Sequence, residues 1–171
     1  MSEIVNRVAK SGIASLDLEE FYLKGERVLF DLKPFLFQEI ILKEQDFRRD
    51  LKNLDWSVYE GKYVAIGLTV DAIVPTWAYM LVMSYLKPVA EDVIVGTIDD
   101  LERYLITKVV HSIDLALFEG KSVVVKGCSK YPVPLIAYGE LVKLLMGVAR
   151  SIMFGEPCST VPLWKGKKVS D

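Results

Sequence analysis

The sequence predicts an α/β fold: a parallel sheet of about four strands from two tandem βαβ repeats, plus an N-terminal strand and helices. Three observations predict it. Residues 54–96 recur as 113–155, without a gap and 59 positions on, with 13 identities in 43 positions, where average residue usage would give about 3. Within each copy a continuous apolar run precedes a longer helical stretch that opens on Val-Pro, at Val74-Pro75 and Val133-Pro134. The runs Val64-Ala65-Ile66 and Val123-Val124-Val125 lack the alternation of a half-solvated strand, as expected of parallel strands covered on both faces.

Taken in order, residues 1–53 form an extension. In it Val28, Phe30 and Leu32 alternate with Arg27 and Asp31, the pattern of a half-buried strand. Pro34 suits the first turn of a short helix reaching Leu42, and Phe47 and Leu51, four residues apart, place a second helix over 44–53. Residues 54–96 are the first repeat: a strand over 62–68, a helix over 75–87 between Pro75 and Pro88, and a strand over 92–96. Thr97 and Asp100 have capping-box spacing, so 97–112 is a linking helix, with Leu101, Leu105 and Val109 on its apolar stripe. Residues 113–155 repeat the pattern with a strand over 121–127, a helix over 134–148 and a strand over 151–155. Residues 156–171 are a tail, and the whole chain is expected to form one domain.

Composition narrows the class. Half the residues (51%) are hydrophobic, 26% are charged, and the net charge is −2. That balance suits a soluble globular chain and speaks against a nucleic-acid partner, which selects basic surfaces. Lys165, Lys167 and Lys168 read as a solvated terminus. Met1-Ser2-Glu3 opens no secretory signal, and two cysteines make no disulfide scaffold, so a reducing cytoplasmic setting is expected. Tyr63–Leu86 holds a single charge, Asp71, across 24 residues, the length of a membrane span. Its repeat partner carries Lys126, Lys130, Glu140 and Lys143, so both segments read as buried strand plus helix, with no membrane partner.

In open parallel sheets ligands bind beyond the carboxyl ends of the strands. Four loops are expected on that edge: 67–74, 96–97, 126–133 and 156–162. Two read Gly127-Cys128-Ser129-Lys130 and Gly155-Glu156-Pro157-Cys158-Ser159-Thr160. Cys128 aligns with Thr69 and Cys158 with Asp99, so the first repeat is a cysteine-free version of the second. Cys128 and Cys158 are therefore candidate ligands for a metal or an iron–sulfur cluster. Equally, they would serve as a redox pair, as nucleophile and resolving thiol, or as small buried hydrophobes. Ser129, Lys130, Glu156, Ser159 and Thr160 are the accompanying polar groups. Asp71 either caps the following helix or faces the crevice as a carboxylate. Thr76 and Trp77 open that helix, where an anion would sit. The single histidine, His111, Tyr79, Tyr138, Glu19-Glu20 and Arg48-Arg49 read as surface, capping or packing residues. No glycine-rich nucleotide pattern is present.

Long segments carry a resemblance. They are Ser2-Glu3-Ile4-Val5-Asn6-Arg7-Val8-Ala9, Asp71-Ala72-Ile73-Val74-Pro75-Thr76-Trp77-Ala78-Tyr79-Met80, Gly127-Cys128-Ser129-Lys130 and residues 151–163. Over nearly its full length the chain resembles an uncharacterised bacterial family, found mainly in Bacteroidetes, the domain of unknown function 2480. The resemblance implies no established activity, cofactor or catalytic residue. The expected role is an accessory protein that binds a metal, an iron–sulfur cluster or a sulfur species. The alternatives are a non-catalytic interaction module, with a homodimer or another protein as partner, and an enzyme on a small anionic substrate.

Overall fold

The computed structural model describes residues 12–127, 130–156 and 159–166. Its strands are β1 (Ile13–Asp17), β2 (Arg27–Asp31), β3 (Leu36–Phe37), β4 (Ile41–Leu42), β5 (Tyr63–Gly67), β6 (Asp92–Val95), β7 (Ser122–Lys126), β8 (Ser151–Glu156) and β9 (Ser159–Lys165). Its helices are α1 (Glu44–Asn53), α2 (Thr76–Leu86), α3 (Ile98–Ser112) and α4 (Leu135–Leu145). The fold is mixed α/β, and no helix among the described residues is long and apolar enough to cross a membrane.

The strands do not form one parallel sheet. They form a four-stranded sheet ordered β1-β7-β8-β9, a three-stranded sheet ordered β2-β5-β6, and the β3-β4 hairpin. The reason lies in the extension. Each central strand, β5 or β7, takes a strand from residues 12–31 as its outer neighbour, in parallel register, and so does not pair with the other repeat. Two compact units result, with boundaries at Leu23/Lys24 and Tyr104/Leu105.

The unit spanning Lys24–Tyr104 is built on β2, β5 and β6, all parallel. All five residues of β5 are buried, as its unbroken apolar run requires. Helix α1 occupies the expected residues and turns Phe47 and Leu51 inward. Their side chains meet Phe30, Leu32, Val82 and Leu86 in one core. Each such fully buried side chain stabilises the fold by about 1.5–3 kcal/mol. Aromatic rings extend that core: Trp56 stacks on Phe30 at 5.5 Å and on Tyr85 at 4.9 Å, and its indole N–H donates to the Leu51 carbonyl at 3.0 Å. The capping box forms as spaced, with Thr97 N–H donating to Asp100 at 2.9 Å and Asp100 N–H donating to the Thr97 hydroxyl at 3.1 Å.

The expected helix over 34–42 is absent. Pro34 sits in a single 3-10 turn, Lys33–Phe35, after which Leu36 is extended. Gln38 and Glu39 then adopt φ of +53° and +59°, closing the β3-β4 hairpin. Two successive left-handed residues end any α-helix. The apolar residues of the segment alternate instead: Leu36 is buried, while Phe37 and Ile41 stay exposed.

The other unit holds β1, which the sequence reading missed although Ala14 and Leu16 alternate inward. Those two side chains join Val123, Val125, Leu141, Leu145 and Ile152 in a second core. The residues assigned to a tail also contribute: β9 turns back along β8 in antiparallel register, from Glu156↔Ser159 to Ser151↔Lys165. Tyr79 and Tyr138 each pack against the core of their own unit, as expected.

Local geometry matches between the units at the 59-residue offset. Asp55 caps the 3-10 turn Trp56–Tyr59 by accepting from Ser57 N–H, and Asp114 caps Leu115–Phe118 by accepting from Ala116 N–H. Gly61 and Gly120 follow with φ of +67° and +66°.

Candidate functional site

In the unit holding β7 and β8, the carboxyl ends of two neighbouring parallel strands lie side by side, with Val125 opposite Phe154. One residue further on, the Lys126 ammonium reaches the Glu156 carboxylate at 3.8 Å. Both groups are partly solvated, so the pair contributes little stability. It does show that the two stems carrying the Gly-Cys-Ser and Glu-Pro-Cys-Ser stretches leave the sheet together. Cys128, Ser129 and Cys158 themselves lie outside the described residues.

The stems are tightly built. A side chain at Gly127 would collide with the Phe154 ring, its Cβ lying 2.3 Å from Cζ. Phe154 in turn packs edge-on against Tyr138 at 6.0 Å. At Gly155, φ is +126° and a Cβ would stand 2.5 Å from the Ser159 carbonyl oxygen. Gly155 is thus required by close approach to backbone, and a side chain at Gly127 would force the Phe154 ring to move. Neither glycine marks a loose loop.

The remaining candidates in this unit have defined places. Glu19 accepts from the backbone N–H of Lys130 at 2.8 Å and of Tyr131 at 3.2 Å. Tyr131 stacks on Tyr22 at 4.9 Å. Glu19, read as a solvated face, is therefore the anchor that holds Lys130 and Tyr131 against the turn following β1. An acid two residues past an alternating strand was its sequence signal. Lys130 itself is exposed, its ammonium 5.7 Å from the Tyr131 ring centre. Ser159 and Thr160 belong to β9 and not to a loop, because they continue the ladder with β8. The Thr160 hydroxyl donates to the Met153 thioether sulfur at 3.7 Å. His111 lies in the last turn of α3, half-exposed, with its Nε2 3.5 Å from a Glu140 carboxylate oxygen.

In the other unit, Asp31 plays the part that Glu19 plays above. Its carboxylate accepts from Lys33 N–H at 3.0 Å, from Thr69 N–H at 3.2 Å and from the Thr69 hydroxyl. Partial burial works against the charge. The hydrogen bonds from Thr69 and Lys33, with the Lys33 ammonium nearby, outweigh it and hold the Asp31 carboxyl below its ordinary range. Asp71 is exposed, and no side chain caps α2, so the capping role is not taken. Thr76 is exposed at the start of α2. Trp77 is a packing residue: its ring lies 6.0 Å from Phe47 and beneath the Arg48 guanidinium at 5.4 Å.

The single sheet on which a common crevice was expected is therefore not formed. Asp71, Thr76 and Trp77 follow β5 in one sheet, while Lys130, Glu156, Ser159 and Thr160 flank β7 and β8 in another. Among the described residues, no group of three or more His, Cys, Asp or Glu side chains is arranged to hold a metal ion.

Comparison with curated proteins and with solved structures gave no match. A family model does match, over residues 2–166, and the chain belongs to that family, described as Protein of unknown function (DUF2480).

Proposed function

We propose that this chain is an accessory protein that holds a metal, an iron–sulfur cluster or a sulfur species through the thiols of Cys128 and Cys158. One observation carries the reading. The stems that lead to both cysteines end side by side, with the Lys126–Glu156 pair at 3.8 Å marking the end of adjacent strands. Each cysteine lies two residues past the last residue of its strand. Two residues of chain reach at most about 7 Å, and neighbouring strands stand about 4.8 Å apart. Sequence position and sheet topology together therefore allow both sulfurs to reach one ligand.

The chemistry follows from the donor set. Two thiolates are half of a four-coordinate site, so a second copy of the chain or a client protein completes the coordination. The Lys126 and Lys130 ammonium groups at the same strand end would favour the thiolate form. The scaffold itself has no need of the thiols, because Thr69 stands where the second repeat has Cys128 and spends its hydroxyl on Asp31. On this reading each unit is one copy of a duplicated β-βαβ element, and only the later copy acquired the chemistry.

The test is metal and acid-labile sulfide analysis of the full chain purified without oxygen, beside a Cys128→Ser, Cys158→Ser double variant. The reading expects metal or sulfide in the wild type and its loss in the variant. Equal contents in the two proteins would remove it.

A further inference from the structure

The opposite end of the same sheet carries a second feature. The first residues of β7 and β8, Ser122 and Ser151, line an open groove of about 620 Å³ with Met153, Trp164, Lys165 and Arg150. That volume falls within the roughly 300–1,000 Å³ of small-molecule sites. The polar groups converge. The Arg150 guanidinium donates to the Ser122 hydroxyl at 3.1 Å, and the Ser151 and Ser122 hydroxyls are 2.8 Å apart. Arg150 and Lys165 both lie exposed, and neither has an acidic partner among the described residues. The rest of the wall is apolar, from the Met153 thioether to the Trp164 indole.

The other unit is an internal control. At the 59-residue offset, Ser122, Arg150 and Ser151 correspond to Tyr63, Glu91 and Asp92. There the tyrosine is buried, its ring beneath the Arg27 guanidinium at 5.0 Å, and Asp92 is buried with its carboxylate on Val93 N–H. The charge at the arginine position is reversed. After β6 the chain enters the capped helix α3 directly, whereas after β8 it returns as β9 and brings Trp164 and Lys165 alongside. The groove, its two cations and its hydroxyl pair are therefore additions to the shared scaffold.

We propose that this groove binds a small amphiphile that carries one anionic head, carboxylate or phosphate, on an apolar body. The guanidinium, with its planar donor fork, takes two oxygens of the head. Lys165 supplies a second charge, and the Ser122 hydroxyl, which accepts from Arg150 and Ser151, donates its own proton to the same oxygens. Met153 and Trp164 cover the apolar part. The site is independent of the cysteines, which follow the last residues of β7 and β8 in sequence, whereas the groove is lined by their first residues.

The test uses the full chain and two-dimensional amide and indole NMR, with naphthalene-2-carboxylate, 2-naphthyl phosphate and uncharged naphthalene-2-carboxamide as probes. Trp164 is the reporter, and the Trp56 and Trp77 indoles of the other unit are controls. Saturable shifts at Trp164 alone, at least tenfold weaker binding of the carboxamide, and a tenfold loss in Arg150→Gln would support the site. The tighter of the two anionic probes identifies the head. Arg150 makes its sheet contacts through its backbone, so the variant leaves them in place. Should Arg150→Gln not fold, Lys165→Gln on the exposed edge strand provides the same comparison. Failure of the anionic probes to saturate at Trp164, carboxamide binding as tight as theirs, or unchanged affinity in the folded variant would overturn the proposal.

Discussion

Replacing Gly155 by alanine tests how tightly the strand end beside the cysteine loops is built. Two costs are readable. The backbone at φ +126° lies where L side chains rarely go, worth about 1–3 kcal/mol. A Cβ would also sit 2.5 Å from the Ser159 carbonyl oxygen. Relieving that contact means moving β9 and weakening about one ladder hydrogen bond, roughly 1 kcal/mol. Alanine also narrows the unfolded ensemble, which returns about 0.4–1 kcal/mol. The net expectation for Gly155→Ala is a loss of about 2–3 kcal/mol. Gly120→Ala is the matched control in the same unit, with φ +66° and no atom within 4 Å of the added methyl. It bears only the left-handed cost of about 1–2 kcal/mol, less the same return, so about 1 kcal/mol or less. Urea unfolding followed by circular dichroism separates the two, since a difference near 2 kcal/mol moves the midpoint by about 1 M at an ordinary slope. A midpoint for Gly155→Ala at or above that of Gly120→Ala would refute the reasoning, because the Ser159 contact would then carry no cost.

Two further expectations follow from the other unit. The Asp31 carboxyl is held below its ordinary range in the folded chain, so its contribution is present above the unfolded value near 3.9 and disappears as pH falls through the lower, folded value. Asp31→Asn should cost about 1 kcal/mol at neutral pH, given partial solvent screening, and should flatten the acid limb of a stability-versus-pH curve below about pH 4; an unchanged limb would show that the Thr69 and Lys33 hydrogen bonds contribute nothing. At the β3-β4 turn, Gln38→Asn with Glu39→Gly gives both left-handed positions the residues they favour. The pair should raise the thermal midpoint by a few degrees, corresponding to about 1 kcal/mol. The loss of the exposed 3.2 Å Lys33–Glu39 pair is expected to subtract little, and a lowered midpoint would contradict the turn assignment.

Local order was legible in the residues because the physics behind it is local. The Phe47/Leu51 spacing, the Thr97/Asp100 box and the apolar runs of β5 and β7 all occupy their expected places. The 34–42 segment differs from its expected helix because Pro34 suits the first turn of an α-helix and of a 3-10 turn equally well. The deciding fact, two left-handed residues at Gln38 and Glu39, carries no glycine or asparagine to announce it. Glu19 and Asp31 escaped notice as site-building residues for a related reason. Each is an ordinary acid until the chain about 111 or 38 residues onward is brought to its carboxylate.

The sequence by itself determined the strands and helices within residues 54–96 and 113–155, the capping box between them, and that the two segments share a pattern. Tertiary structure decided how strands are shared among sheets. A buried parallel strand needs hydrogen-bonding neighbours on both sides, and nothing in an apolar run names which neighbour it will take. Here β1 and β2 fill those places, so two sheets form where one was expected, and candidates such as Asp71 and Lys130 end beside different sheets. The return of β9 along β8 was equally invisible. It turned residues that read as a tail into one wall of a groove, because the antiparallel register sets Trp164 and Lys165 against Ile152 and Ser151.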